Sequence, residues 1–242
     1  MLNHKNHFGF EKEPFRQDIG VTELYPLPGL EALCDRFLYA VHLFAVAVIT
    51  GEIGSGKSTS LRYACSKLHP SEYKVIPVIA NKGTVVEMYR QISMALAAEI
   101  KAGSISRVTR LIRSIVQEIC SRKERPVLVI DEAHLMRFEI FAQLHLLSQF
   151  EFDSKPLLPI ILCGQSSLID KLLYYTSRPL ASRVVGKTHL EGITLKDMHG
   201  YLSHHLEIAG VKEKLFSEEA VTAIQQGSGG LLRRAMQEVP SW

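Results

Sequence analysis

Short apolar runs alternate with amphipathic segments along most of the chain. Four runs predict β-strands over 44–50, 73–80, 127–131 and 158–163. Each run is short and nearly unbroken, which is typical of strands covered on both faces of a sheet. Helical periodicity is clearest over 106–122, with apolar residues on one stripe: Val108, Leu111, Ile112, Ile115, Val116 and Ile119. This alternation predicts an α/β fold, a parallel sheet sandwiched between helices.

Helical signals replace the strands after about residue 190. Thr194 and Asp197 form a capping box that opens a helix, and Gly210 closes it. Ser217 opens a second helix that Gly227 closes. These signals predict a small helical appendage on the α/β core.

Three parts of the chain follow from these patterns. Residues 1–27 hold scattered aromatics, prolines and charges and predict an irregular arm. The α/β core is expected over 28–190 and the helical lid over 191–242. A third lid helix begins near Gly230 and is curtailed by Pro240, because proline prevents a long final helix.

The composition permits a folded core and sets few limits on function. The chain has 242 residues, 46% of them hydrophobic, and a net charge of +3. Its four cysteines lie far apart, which predicts reduced thiols. No apolar run approaches ~18 residues, and the N-terminal sequence lacks the apolar segment of a signal peptide. We therefore expect a cytoplasmic protein without a membrane span.

The stretch GEIGSGKS over 51–58 fits GxxxxGK[ST] at every fixed position and follows a predicted strand. Its glycines let backbone N–H groups converge on phosphates, and the helix that begins there adds its positive end. Lys57 would reach the β and γ oxygens of ATP, and the Ser58 hydroxyl would face Mg²⁺. The candidate nucleotide-binding residues are Gly51, Glu52, Ile53, Gly54, Ser55, Gly56, Lys57, Ser58 and Thr59.

Two carboxylates emerge at the end of the third predicted strand, in PVLVIDEAH over 126–134. Ligands collect at that end of the strands in open α/β sheets. Asp131 would hold Mg²⁺ through water and Glu132 would polarise the attacking water. DEAH also occurs in helicases, but the chain is too short for two motor domains. We therefore interpret His134 as a residue at the start of a helix.

The next predicted strand ends in Gln165, within LPIILCGQ. A polar side chain there can hold the attacking water between Glu132 and the γ-phosphate. A capping or turn role shared with Ser166 and Ser167 explains the same residue equally well. The sequence leaves both interpretations open.

The order of these motifs resembles that of AAA+ ATPases. Within that class the chain most resembles the ExeA-like branch, which includes general-secretion ATPases and the ATPases that accompany DDE transposases, of the TniB and IstB kind. The segments that carry the resemblance are HFGFEKEPF, GEIGSGKST, VLVIDEAHLM, LPIILCGQSSLIDKL, RPLASRV, HLEIAGV and SGGLLRRA. The resemblance implies a homo-oligomeric ring or filament that hydrolyses ATP slowly, stimulated by DNA or by oligomerisation.

The resemblance also implies roles for two arginines. Arg183 corresponds to the arginine finger that reaches the neighbouring subunit's nucleotide, with Arg178 as the second choice. Arg233 corresponds to the lid residue that senses the γ-phosphate, with Arg234 as its rival. The arm residues Phe8, Phe10 and Phe15 are expected near the adenine or packed at the sheet's edge.

The segment over 101–125 is strongly basic, with seven basic residues and two acids. Arg107, Arg110 and Arg113 fall opposite the apolar stripe of their helix. Such a basic face is suited to tracking the phosphate backbone of double-stranded DNA, although a solvated helix face is an equal alternative.

Three functions fit the sequence. The first is an ATP-dependent DNA-binding protein that assembles on DNA and assists a transposase in target selection. The second is an ExeA-like secretion-pathway ATPase. The third is a nucleotide-gated interaction module with little turnover, because the lid is shorter than is usual in relatives.

Overall fold

A computed structural model of the protein describes residues 9–16, 18–98, 104–211 and 213–238. Three residues used in the predictions lie outside these ranges: Phe8, Lys101 and Pro240.

Five strands form one parallel sheet in the order β2-β3-β4-β1-β5. They are β1 (Val46–Gly51), β2 (Tyr73–Ile79), β3 (Arg125–Asp131), β4 (Ile160–Gly164) and β5 (Val184–Leu190). The α/β prediction is confirmed, and each of the four predicted strands is present within about two residues of its predicted bounds. The fifth strand, β5, is not among the predicted strands.

Within the described residues, seven α-helices precede β5. They are α1 (Leu30–His42), α2 (Lys57–Ser66), α3 (Val85–Ala95), α4 (Ile105–Ser121), α5 (Phe138–Ser148), α6 (Ser167–Leu173) and α7 (Arg178–Ala181). Helix α4 begins at the Ser104 cap, whose side chain accepts the N–H of Arg107. Four residues of its stripe are buried, Val108, Ile112, Val116 and Ile119, whereas Ile115 is partly buried and Leu111 is 36% exposed.

In the part of the chain that the structure describes, three helices follow β5: α8 (Leu195–Ile208), α9 (Glu218–Ser228) and α10 (Leu232–Glu238). The predicted caps are confirmed, because Thr194 accepts the N–H of Asp197 and Ser217 accepts the N–H of Ala220. The prediction that Gly227 closes the second lid helix is wrong. The helix continues through Gly227, and Gly229 ends it with a φ of 60° in the left-handed region, where glycine is favoured.

The chain forms two compact units. The sheet unit comprises 32–51 and 57–189, and the helical unit comprises 1–31, 52–56 and 190–242. Each unit has its own hydrophobic core. In the sheet unit, residues of β1 to β4 pack against surrounding helices, and in the helical unit the three lid helices pack with aromatic residues of the arm.

Candidate nucleotide site

The glycine-rich loop has the backbone that its sequence predicts. Gly54 and Gly56 both have a φ of 89°, a conformation that residues with a Cβ rarely adopt. Ser55 donates its N–H to the carbonyl of Glu52 at 3.2 Å. The Ser55 side chain is buried, and its hydroxyl has no hydrogen-bond partner among the residues that the structure describes. An orphaned hydroxyl inside this loop fits a loop that is shaped around a polar ligand.

Within the helical unit, Arg233 lies against this loop. Its N–H donates to the carbonyl of Gly54 at 3.3 Å, and a Cβ added to Gly54 would lie 2.8 Å from the Cβ of Arg233. Leu232 packs beside the loop in the same way, because a Cβ on Gly56 would lie 3.3 Å from it. Arg233 and Arg234 are both exposed. This contact is made by the backbone nitrogen and the Cβ of Arg233, so the choice between Arg233 and Arg234 for the lid role stays a prediction.

In the sheet unit, Gly51 ends β1 and Lys57 opens α2. Lys57 is 7% exposed. The next residue, Ser58, donates its hydroxyl to Oδ2 of Asp131 at 2.8 Å. Thr59 is half-buried in the same turn. The structure therefore brings together the two residues that the sequence predicted as Mg²⁺ ligands.

Glu132 leaves the sheet differently from Asp131. Its backbone is left-handed, with a φ of 55°, and its N–H donates to Oδ1 of Asp131 at 2.8 Å. A left-handed conformation at a residue other than glycine costs about 1–3 kcal/mol and is concentrated at functional sites. The side chain of Glu132 is 39% exposed. The left-handed turn thus takes the backbone of Glu132 out of the extended geometry of β3.

Gln165 follows β4 directly and is half-buried. Its backbone N–H donates to Nδ1 of His134 at 3.3 Å. Nδ1 of His134 also lies 3.3 Å from Oε2 of Glu132. His134 lies in a short 3-10 helix over Ala133–Leu135, as its interpretation as a helix-start residue predicts. Its contact with Gln165 was not foreseen, because it joins segments that follow two different strands.

The two finger candidates differ in their surroundings. Arg183 forms an ion pair with Asp153 in the same chain, and its side chain is 19% exposed. Its carbonyl accepts the N–H of Val46 at 3.0 Å, so its backbone is anchored to β1. Arg178 is exposed at the start of α7. A finger role for Arg183 therefore requires that its pair with Asp153 break.

The predicted basic face is wrong for Arg113. Its guanidinium donates to the carbonyl of Leu146 at 3.0 Å and lies 4.6 Å from the ring centroid of Phe150. These contacts join α4 to the end of α5, so this side chain is only half-exposed. Arg107 and Arg110 are exposed as predicted.

The arm aromatic Phe15 packs inside the helical unit. Its ring is stacked on the imidazole of His205, with centroids 5.2 Å apart. His205 is 5% exposed, and its Nδ1 has no hydrogen-bond partner within the described part of the chain. Burial lowers the pKa of His205 to about 4, with a smaller contribution from His204. Phe15 therefore contributes to the packing of a neutral histidine.

The residues present fit a magnesium nucleotide. Hydroxyl and carboxylate oxygens are the ligands that Mg²⁺ prefers, and Ser58 and Asp131 place two of them together. Gly54 and Gly56 permit the positive-φ turn of the loop, in which backbone N–H groups can converge on phosphate. Ser58 and Asp131 would hold the metal ion, and the loop amides with Lys57 would hold phosphate.

The comparisons with known proteins agree with this geometry. A family model described as an AAA domain matches residues 45–172, more than half of the chain. The chain therefore belongs to the AAA domain family. It is also similar to general secretion pathway protein A of Aeromonas hydrophila, with 29% identity over 188 residues. This match covers 77% of the chain and 34% of that relative. This similarity supports the resemblance of the chain to the ExeA-like branch of AAA+ ATPases.

Solved structures share the fold at low sequence identity. The ORC2 protein of Aeropyrum pernix matches with a TM-score of 0.68 and 16% identity, over 92% of this chain and 64% of that one. The ORC1 protein of the same organism, solved in complex with DNA, matches with a TM-score of 0.61 and 15% identity. This match covers 93% of this chain and 58% of that one. Cdc6p of Pyrobaculum aerophilum matches with a TM-score of 0.62 and 14% identity, over 85% and 58%. The chain thus spans less than two thirds of each of these relatives.

Across the described residues, no helix combines the length and the apolar character needed to cross a bilayer.

Proposed function

We propose that this chain hydrolyses ATP, assembles on double-stranded DNA and assists a transposase in target selection. The observation that carries the hydrolysis is the arrangement of Ser58, Asp131 and Glu132 at the carboxyl end of β3. Membership of the AAA domain family supports nucleotide binding. The fold shared with an ORC1 protein solved on DNA is consistent with a DNA partner.

The residues have separate roles in this proposal. Bound Mg²⁺ would neutralise charge on the phosphate oxygens. Lys57 would neutralise further charge with its ammonium group, since this residue begins α2 directly after the glycine loop. Glu132 would orient and polarise the attacking water, and Gln165 would hold that water from the neighbouring strand. Arg183 from a second copy would stabilise the charge that develops in the transition state.

The DNA partner is supported by Arg107 and Arg110. Both are exposed on α4, three residues apart on one helix, so they face the same side. Paired cations of this kind can follow the phosphates of a duplex without reading its sequence.

Filter binding to duplex DNA tests the proposal. We expect retention with ATP and not with ADP, and a steep loss of retention with salt. Glu132→Gln should trap the ATP-bound assembly on DNA, because water would no longer be polarised. Equal retention without nucleotide, or rapid release of the Glu132→Gln variant, would overturn the proposal.

The Arg107→Ala/Arg110→Ala double variant tests the interface itself. Loss of two phosphate contacts should flatten the slope of log K against log salt by about 2, since each contact contributes ~0.9. Lys74→Ala/Lys187→Ala removes the same charge from two exposed lysines on β2 and β5 and is the matched control. An equal loss in both double variants would show that only net charge matters.

A secretion-pathway ATPase is the second candidate, favoured by the similarity to general secretion pathway protein A. The two candidates differ in their response to DNA. Absence of duplex retention with ATP at any salt concentration, together with intact ATP hydrolysis, would favour this second function.

A further inference from the structure

His134 lies where the ends of β3 and β4 meet, and its ring nitrogen contacts both strands' functional residues. Nδ1 is 3.3 Å from the backbone nitrogen of Gln165 and 3.3 Å from Oε2 of Glu132. Its side chain is 9% exposed. Gly164 makes room for the ring, because a Cβ there would lie 3.2 Å from Nδ1 and 3.0 Å from the backbone nitrogen of His134.

The hydrogen bond from Gln165 defines the protonation of this ring. A backbone N–H can only donate, so Nδ1 must present a lone pair to accept it. When Nδ1 accepts this bond, the imidazole is neutral and carries its proton on Nε2. In this tautomer Nδ1 offers no proton to Glu132, and the glutamate oxygens stay available for water.

The opposite protonation state would have the opposite effect. A proton on Nδ1 would be donated to the carboxylate of Glu132 and could not coexist with the bond from Gln165. Glu132 would then be held by His134, and the backbone at Gln165 would lose its acceptor. The two contacts at Nδ1 are thus mutually exclusive.

We propose that His134 is a positioning residue for ATP hydrolysis: its neutral ring fixes the backbone at Gln165 and leaves Glu132 free to orient the attacking water. The inference rests on the hydrolysis proposed above. It assigns a function to the fourth residue of the DEAH sequence that its position at a helix start does not explain.

The surroundings of the ring favour its neutral form. Burial is the largest effect on the pKa of His134 and lowers it, and Lys171 and Lys57 lower it further. Glu132 and Asp131 act in the opposite direction. Lys171 is itself held at this place, since its ammonium donates to the carbonyl of Met136 at 2.6 Å.

Two variants separate positioning from space-filling. His134→Leu fills the space of the ring with an apolar side chain that has no hydrogen-bond acceptor. We expect kcat to fall about 10- to 100-fold while the Kd for ATP is unchanged. His134→Asn places an amide oxygen where Nδ1 lies and should recover much of the lost kcat. Unchanged kcat in His134→Leu, or no recovery in His134→Asn, would overturn the proposal.

The tautomer is measured without turnover. Nitrogen-15 NMR of the unaltered protein at neutral pH should show the His134 ring with a non-protonated Nδ1 and a protonated Nε2, assigned by its absence from the His134→Asn spectrum. A protonated Nδ1 would contradict the inference.

An assay of ATP hydrolysis and this NMR measurement together distinguish the proposed function from the role proposed for His134. If the unaltered chain binds ATP and never hydrolyses it, with or without DNA, the proposed function fails, and the positioning role fails with it. If hydrolysis is present but Nδ1 is protonated, only the inference about His134 fails.

Discussion

The hydroxyl of Ser58 donates to the carboxylate of Asp131 over 2.8 Å, although 73 positions separate the two residues in the chain. The contact joins the first turn of α2 to the end of β3. A hydroxyl and a carboxylate held together in this way form a natural start for a magnesium shell, because both offer hard oxygen ligands.

The first prediction concerns these two oxygens. Ser58→Ala and Asp131→Asn should each weaken the Mg²⁺-dependent part of ATP affinity by about 10- to 100-fold, a range typical of groups that hold or orient a metal ion. Titration calorimetry with Mg²⁺ and with a chelator measures that part. Ser66→Ala, in the same helix, is the control, since its hydroxyl donates to the carbonyl of Tyr63, three residues earlier. Variants that retain the full effect of Mg²⁺ would contradict the assignment.

The second prediction concerns the arginine finger. Arg183→Ala should reduce turnover by about 10³-fold or more, and mixing it with Lys57→Ala should recover activity. Recovery is expected because one variant supplies the finger and the other supplies an intact nucleotide site. Arg183 is favoured because its carbonyl is anchored to β1 through Val46, which fixes the base of the side chain.

Two further variants complete this test. Asp153→Ala should not reduce turnover, since it only releases the Arg183 guanidinium from its ion pair. Arg178→Ala is the comparison, because that exposed arginine was the second choice. If the mixture recovers activity with Arg178→Ala and not with Arg183→Ala, the finger is Arg178.

The third prediction concerns Gly54. Gly54→Ala combines a positive φ with a Cβ placed 2.8 Å from the Cβ of Arg233, so α10 must shift or the loop must change. Gly29→Ala is the matched control, because Gly29 also has a positive φ, of 76°, but nothing lies within 4 Å of its added Cβ. The control should cost about 1–2 kcal/mol of unfolding free energy from backbone strain alone. Chemical denaturation should show a larger loss for Gly54→Ala; equal losses would refute the close approach.

The fourth prediction concerns pH. Burial lowers the pKa of His205 to about 4, whereas an unfolded chain binds that proton near pH 6.5. As the pH falls through this window the unfolded state gains the proton first, so stability decreases, by roughly 3 kcal/mol in all. We expect the free energy of unfolding, measured by denaturation from pH 7 to 4, to lose this pH dependence in His205→Leu. The His199→Leu variant should keep it. A pH profile that is the same in His205→Leu as in the unaltered protein would contradict the assignment.

Periodicity predicted the elements that are buried evenly and missed the one that is not. Strands β1 and β4 are buried at every position and stand out as apolar runs. Strand β5 has only Gly186 and Leu190 buried, and it carries Lys187, Thr188 and His189. An edge strand of this composition resembles a loop, so the sequence contained little signal beyond its two valines.

Motif spacing likewise predicted positions that the local sequence defines and missed contacts between segments that are distant in the chain. The loop glycines and Ser58 follow from the phosphate-loop pattern, and Asp131 follows from the apolar strand that ends in two acids. The contact of His134 with Gln165 depends on the register of β3 against β4, which no local pattern contains. Arg113 was misassigned for the same reason, because its acceptor at Leu146 lies on another helix.

The glycine loop and Lys57 are proposed to bind a nucleoside triphosphate. Calorimetric titration of the purified chain with magnesium ATP measures this binding directly, with Lys57→Ala as the comparison. We expect saturable binding by the unaltered chain and a loss of that binding in Lys57→Ala. Absence of heat, or the same isotherm for both proteins, would contradict it.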